Sequence, residues 1–295
     1  MTQLPVALPT VSIIIPAYNE EQRIRQCLMA AIYQSVPAEE ILVVDNLSTD
    51  STASIVQQLI EEFPEANIRY LQQSEVQGLI PTRNLGFNRA IGDVFGRIDA
   101  DSVLEPGWVA EVKRIFADKH VFGATGPVLY YDMPLRRFGL HADNALRKTL
   151  SKLNRKYQLL FGSNMAISRA AWQQIAAEVC LDEDDLLHED IDLSVHLTDH
   201  HLKVQYSSKM VSGMSARRLE DSPKDYRFYV MRFERTYKSH GITSKRLRLP
   251  IVIFMSIYFP LHFLRKFVHR PKKRLSGEAE QLLTQSHSNG AKPSP

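Results

Sequence analysis

Within its first hundred residues the chain alternates short apolar runs with amphipathic stretches, and this alternation constrains the fold more than any other feature. "VSIII" (11–15), "ILVVD" (41–45), "NIRYLQ" (67–72) and "DVFGRID" (93–99) are too short for helices and show little polar alternation. Between them, "NEEQRIRQCLMAAIYQS" sets Ile24, Leu28 and Ile32 at helical spacing behind Asn19, a candidate N-cap. "NLSTDSTASIVQQLIEEF" opens with turn and cap residues, and "GLIPTRNLGFNRAIG" runs from a loop into a helix. Strands buried on both faces and separated by helices specify an α/β fold with a mostly parallel central sheet flanked by helices. Its crossovers are expected to be right-handed. Ligands of such sheets bind beyond the carboxyl ends of the strands. That singles out Pro16–Glu20, Asp45-Asn46 and Asp99–Asp101.

The middle of the chain is less regular. "WVAEVKRIFAD" reads as a helix, "VFGATGPVLYYD" as a strand pair or hairpin, and "RRFGLHADNALRKTLSKLNRKYQ" as a basic helix. "FGSNMAISRAAWQQI" reads as a strand turning into a helix, "HEDIDLSVHLTDH" as a helix start, and "KVQYSS" as a further strand. After Ser212 the chain becomes helical and basic. No internal repeat is visible.

Charge is informative only once it is located. The net charge is +3, yet nine Lys/Arg and no Asp/Glu fall between Lys245 and Arg274, which leaves the remainder at −6. A local basic segment on an acidic body argues against a general nucleic-acid binder. Two distant cysteines, Cys27 and Cys180, give neither a zinc spacing nor a disulfide framework, and a reducing compartment is the simpler reading. "MTQLPVALPT" lacks the basic and apolar regions of a secretory signal peptide.

Four short motifs can carry chemistry. Asp99 and Asp101, one residue apart at a strand end, point the same way, and one or two carboxylates plus phosphate oxygens are the usual ligands of magnesium. Glu189, Asp190 and Asp192 open a helix, where the N-terminus usually lowers a carboxylate's pKa and suits a base that stays ionised. Arg83 in "PTRNLGFNRA" can reach a phosphate or a base, and the turn at Pro16–Glu20 can line a pocket. Taken singly, each has a plainer explanation: an N-cap, an acidic first turn, an exposed arginine, a strand-to-helix connection.

Taken in order, "VSIIIPAYNEE", "ILVVDNLSTDST", "PTRNLGFNRAIGDVFGRIDADS", "FGSNMAISR" and "HEDIDLSVHL" resemble the family 2 glycosyltransferases, over roughly residues 10–215. The resemblance implies a GT-A fold and inverting transfer of a sugar from a nucleotide-sugar donor. It implies donor contacts from Pro16, Ala17, Tyr18, Glu20, Asp45, Asn46, Arg83 and Asp99, with an amide, Asn46, where the family carries a second acid. It implies Mn2+ or Mg2+ on Asp101, Asp190 as general base, and Asn164 and Glu189 on the acceptor side. The acceptor it suggests is a glycan or lipid-linked glycan in surface polysaccharide synthesis. Two rivals are a catalytically inactive nucleotide-sugar-binding scaffold at the membrane and a nucleotidyltransferase. The second would normally show a glycine-rich phosphate loop, and "PAYNEEQR" has no glycine.

The expected organisation is a GT-A domain at 10–215, a helical extension at 216–248, an apolar plus basic segment at 249–274 and a disordered tail at 275–295. The apolar run Leu249–Leu264 is shorter than the about 20 residues that cross a bilayer. Followed by Arg265–Arg274, it suits peripheral or monotopic attachment to an anionic membrane surface on the cytoplasmic face. The competing reading packs it as a helix on the catalytic domain. The basic residues Arg136, Arg137, Arg147, Lys148 and Lys152 read as a solvated helix rather than an acceptor site.

Overall fold

A computed structural model describes residues 7–153, 157–182, 186–243 and 248–268. The four apolar runs form β1 (Val11–Ala17), β2 (Glu40–Asp45), β3 (Ile68–Gln72) and β4 (Val94–Arg97), which lie parallel in the order β3-β2-β1-β4. Beyond β4 the sheet continues through β8 (Met165–Ser168), β6 (Gly123–Thr125) and β9 (Val204–Tyr206), with only β8 running against the rest. A small second sheet joins β5 (Val103–Leu104), β10 (Ser212–Met214) and β7 (Val128–Tyr130). The architecture is the expected mostly parallel sheet between helices.

Residues in the strands alternate between two cores. Ile13, Ile15 and Val43 pack under α1 (Ile24–Ile32), α2 (Thr52–Glu62) and α4 (Trp108–Phe116). Ile14, Leu42 and Val44 face α3 (Leu79–Arg89), α6 (Arg169–Ile175) and α7 (Glu189–Asp199). Both faces of each strand are therefore apolar, which is why the runs lack polar alternation. The parallel register sets Ala17 beside Asp45 and Asp45 beside Gln72, so the carboxyl ends of these strands share one edge.

Two local expectations are corrected. Asn19 does not cap α1, which starts at Ile24. It adopts a left-handed φ of 53° and its Oδ1 accepts the Thr49 N–H at 2.8 Å, tying the turn after β1 to the turn after β2. The segment 121–132 is not a hairpin, because β6 and β7 enter different sheets. The chain parts at Gly126, where a Cβ would stand 2.0 Å from the Met210 carbonyl, so the backbones are too close to admit any other residue. In α5 (Arg136–Leu153) the arginines and lysines named above are exposed except Arg147, which is buried. Arg147 pairs with Asp143 at 2.7 Å and lies over the Phe161 ring.

The C-terminal region is helical: a 3-10 turn at Arg217–Glu220, then α8 (Pro223–Val230), α9 (Arg232–Ser239) and α10 (Leu249–Val268). α10 is longer than the apolar run that nucleates it, because it continues through Arg265 and Lys266. Leu249–Phe267, 19 residues with mean hydropathy 1.2, is long and apolar enough to cross a membrane. One face is nevertheless fastened to the body. Tyr258 donates to the Asp221 carbonyl at 2.7 Å, and Arg265 pairs with Glu220 at 2.8 Å and Asp132 at 3.0 Å. The opposite face exposes Val252, Phe259, Phe263 and Phe267. The expected tail at 275–295, and 269–274 of the basic segment, lie outside the described residues.

Candidate active site

The acidic residues at the end of β4 are held by arginines. Arg97, buried at the last position of the strand, sets Nη2 2.8 Å from Asp99 Oδ1. Two residues on, Asp101 Oδ2 lies 3.2 Å from Arg217 Nε, and the same guanidinium reaches Glu20 Oε1 at 2.6 Å. Burial, with the neighbouring Asp99 carboxylate, pushes Asp101 up to about 6. Asp99 and Glu20 both repel the Asp101 charge, and the cation facing Asp101 is a side chain 45% exposed, while the Asp101 carboxylate is only 4% exposed. An all-oxygen carboxylate set suits a hard divalent cation such as Mg2+ or Mn2+. Solvent can take Arg217 back when such a cation enters.

The second acidic pair opens α7. Asp190 Oδ2 accepts the Gly162 N–H at 2.7 Å and Oδ1 accepts the Ile191 N–H at 2.8 Å. A lowered pKa was expected at this helix start. Instead burial and the adjacent Glu189 charge outweigh both bonds and push Asp190 up to about 7. Glu189 goes the other way: burial works against its charge, but Arg97 and Arg83 hold it below the usual carboxylate range. Arg97 Nη1 stands 3.2 Å from Glu189 Oε1, so one guanidinium joins the end of β4 to the start of α7. Gly162 makes room for that bridge, since a Cβ there would meet Arg97 Nη1 at 2.3 Å and Glu189 Oε1 at 2.7 Å.

The remaining expected residues divide into those at the edge and those behind it. Pro16 and Ala17 end β1, and Tyr18 is exposed beyond them. Asp45 is buried: its carboxylate accepts from Ser48 N at 3.2 Å and Tyr70 Oη at 2.9 Å, and also from Ser48 Oγ. Asn46 is turned inward. Its Nδ2 donates to the Gln73 and Val76 carbonyls and its Oδ1 accepts the Gly78 N–H, so the amide is spent on folding the 73–78 loop.

Arg83 lies behind the edge as a buried brace. It is fully enclosed, burial pulls it down to about 10, and it binds the Glu189 carbonyl and Asn84 Oδ1. Asn164 is likewise buried. It takes the Trp108 indole N–H at 2.8 Å and donates to the carbonyls of Pro127 and Met210. Gly96 allows this, because a Cβ there would lie 2.4 Å from the Trp108 ring.

Arg97, Gly162 and Arg217 were not singled out in the sequence. Arg97 had a signal, a charge at the end of an otherwise apolar strand. Arg217 had none, because its partners Glu20 and Asp101 lie far before it in the chain.

The family described as Glycosyl transferase family 2 matches residues 12–175, more than half of the chain. Glycosyltransferase AglE of Haloferax volcanii is 38% identical over 104 residues, covering 35% of this chain and 34% of that protein. The matches span about a third of the length of such curated relatives. Among solved structures, the mannosyltransferase PcManGT from Pyrobaculum calidifontis, in complex with GDP-Man and Mn2+, superposes with a TM-score of 0.62 at 17% identity. That match covers 96% of this chain and 81% of the other. TarS 1–349 of S. aureus, in complex with UDP-GlcNAc, superposes with a TM-score of 0.52 at 16% identity, covering 92% and 77%. At these identities the superpositions establish a shared fold.

Proposed function

This chain belongs to glycosyl transferase family 2, and from that premise we propose that it transfers a sugar from a nucleoside diphosphate donor to an acceptor hydroxyl, with inversion at the anomeric carbon. The observation that carries the reading is the Arg97 bridge, which brings Asp99 at the end of β4 and Glu189-Asp190 at the start of α7 to one edge of the sheet. The two groups have different work. Asp190, with both oxygens oriented by backbone N–H groups, takes the proton from the attacking hydroxyl. A carboxylate that titrates near neutrality is a better base than an ordinary one, because it holds the proton more strongly while still ionised in part. Attack from the side opposite the diphosphate, through an oxocarbenium-like transition state, inverts the anomeric carbon. Asp101, with Asp99, would hold Mn2+ or Mg2+, which when bound supplies Lewis-acid neutralisation of the leaving diphosphate.

Tyr18 and Glu20 border the donor side, and Asp45, Asn46 and Arg83 shape it from behind. The donor nucleotides of the structurally similar proteins, GDP-Man and UDP-GlcNAc, define the first panel to test. The test is calorimetric titration of UDP, GDP and dTDP, with and without Mn2+, on wild type and Asp101→Ala. Metal-dependent binding of one nucleotide that disappears in the variant is expected. No binding under any condition would remove the transferase reading.

A glycan or lipid-linked glycan is the acceptor class this reading favours. It rests on α10, whose exposed Phe259, Phe263 and Phe267 recur at four-residue spacing while Tyr258 and Arg265 hold the other face to the body. That arrangement suits a helix lying in the interface of the cytoplasmic leaflet rather than one crossing it. Flotation with anionic vesicles, lost in Phe263→Asp/Phe267→Asp, is the expected result. Equal flotation of the variant would remove the helix from membrane binding.

A further inference from the structure

A second cluster of metal-ligating side chains lies further along α7. Asp192 and His196 are one turn apart on one face of that helix, and His240 stands just past the end of α9. One atom from each of the three lies within 4.8 Å of the others. We propose that Asp192, His196 and His240 form a divalent transition-metal site, suited to Zn2+, that clamps α7 to α9 and is separate from the carboxylates at Asp99 and Asp101.

The geometry is close to what zinc asks for. Asp192 Oδ1 lies 2.8 Å from His240 Nε2 and 3.5 Å from His196 Nε2. Bonds of about 2.0–2.1 Å in a tetrahedral site put neighbouring ligand atoms about 3.3 Å apart. The two imidazoles meet edge-on, at 79° with centroids 5.0 Å apart, so their nitrogens converge without stacking. The other carboxylate oxygen, Asp192 Oδ2, is occupied by the Cys180 N–H at 3.1 Å, which leaves Oδ1 for the shared position. On the far side of the His196 ring, Nδ1 lies 3.4 Å from Glu178 Oε2, and Glu178 is itself held by His200 at 2.9 Å. A carboxylate behind a histidine is the usual support of a metal-bound imidazole, fixing its tautomer and orientation.

Without metal, the buried His196 Nε2 has only Asp192 Oδ1, at 3.5 Å and too long for a good hydrogen bond, and that oxygen is already bonded to His240 at 2.8 Å. A metal would satisfy that nitrogen. Two imidazole nitrogens and one carboxylate oxygen select zinc-class ions over Mg2+ or Mn2+ and leave a fourth position for water. The site draws on α7, α9 and the segment after α6, so it would fix the helix whose first turn carries Asp190. It does not depend on the transferase reading, since its test contains no nucleotide.

The full chain, stripped by chelator dialysis, is titrated with Zn2+ alone and then with Co2+ as a spectroscopic probe, for wild type, Asp101→Ala, His196→Gln, His240→Gln and Glu178→Gln. One equivalent of Zn2+ is expected on wild type and on Asp101→Ala, with intense visible bands of four-coordinate Co2+. His196→Gln and His240→Gln should lose at least tenfold in affinity, and Glu178→Gln about 10–100-fold. No stoichiometric Zn2+ on wild type, or unchanged affinity in both histidine variants, would overturn the site. If a histidine variant fails to fold, the wild-type Co2+ spectrum decides: weak octahedral bands or none overturn the proposal.

Discussion

The two acidic groups at the edge of the sheet look alike in sequence and differ in their counter-ions. At the end of β4, Asp101 faces Arg217, which is half exposed and shared with Glu20. At the start of α7, Glu189 faces Arg97 and Arg83, both buried. An exposed guanidinium can be exchanged for a metal ion at little cost, because water takes it back. A buried one cannot leave without stranding a charge. The first group is therefore suited to exchange a cation, and the second to keep a fixed field around Asp190.

The sharpest way to break this comparison is at the base itself. Asp190→Asn keeps the size of the side chain but cannot accept the proton, so turnover should fall about 10²–10⁴-fold while nucleotide binding is retained. Near-normal turnover would shift the role to another group. Next in size is the permanent counter-ion. Arg97→Gln leaves Asp99 and Glu189 without their shared partner and should cost about 3–5 kcal/mol, read as a fall in the urea midpoint. A loss below about 1 kcal/mol would mean that the bridge does not hold the site together.

The pH profile sharpens the same contrast. The proposed base Asp190 would work as the carboxylate, so kcat/KM should be flat above about 7 and fall toward tenfold per pH unit below it. A profile flat down to pH 5 would contradict the raised affinity that burial and Glu189 impose. The smallest expected effect belongs to the exchangeable cation. Arg217→Gln should change stability by no more than about 1 kcal/mol, since the pair is partly solvated, and should strengthen Mn2+ binding to the nucleotide-free protein. Weaker Mn2+ binding would show that Arg217 supports the metal position rather than competing for it.

Legibility followed the range of the interactions. β1 to β4 were readable because each is a local apolar run bounded by turn residues, and their burial on both faces follows from neighbours in the sequence. The acidic residues at the strand and helix ends were readable for the same reason. Asn19 and the 121–132 segment were misread because their partners, Thr49 and the backbone at Met210, lie outside any local window. The burial of Arg83 and Asn164 was not readable, because residues brought from other elements enclose them.

By itself, then, the sequence determined the parallel sheet, the edge at the carboxyl ends of its strands and the acids that stand there, since short-range apolar periodicity and turn chemistry specify all three. Only the tertiary structure decided which cation answers each acid and which polar groups are sealed behind the edge. Arg217 meets Glu20 across 197 positions of chain, and Arg97 reaches Glu189 only because Gly162 leaves the gap. Such pairings depend on how packed elements converge, and local composition carries no trace of that.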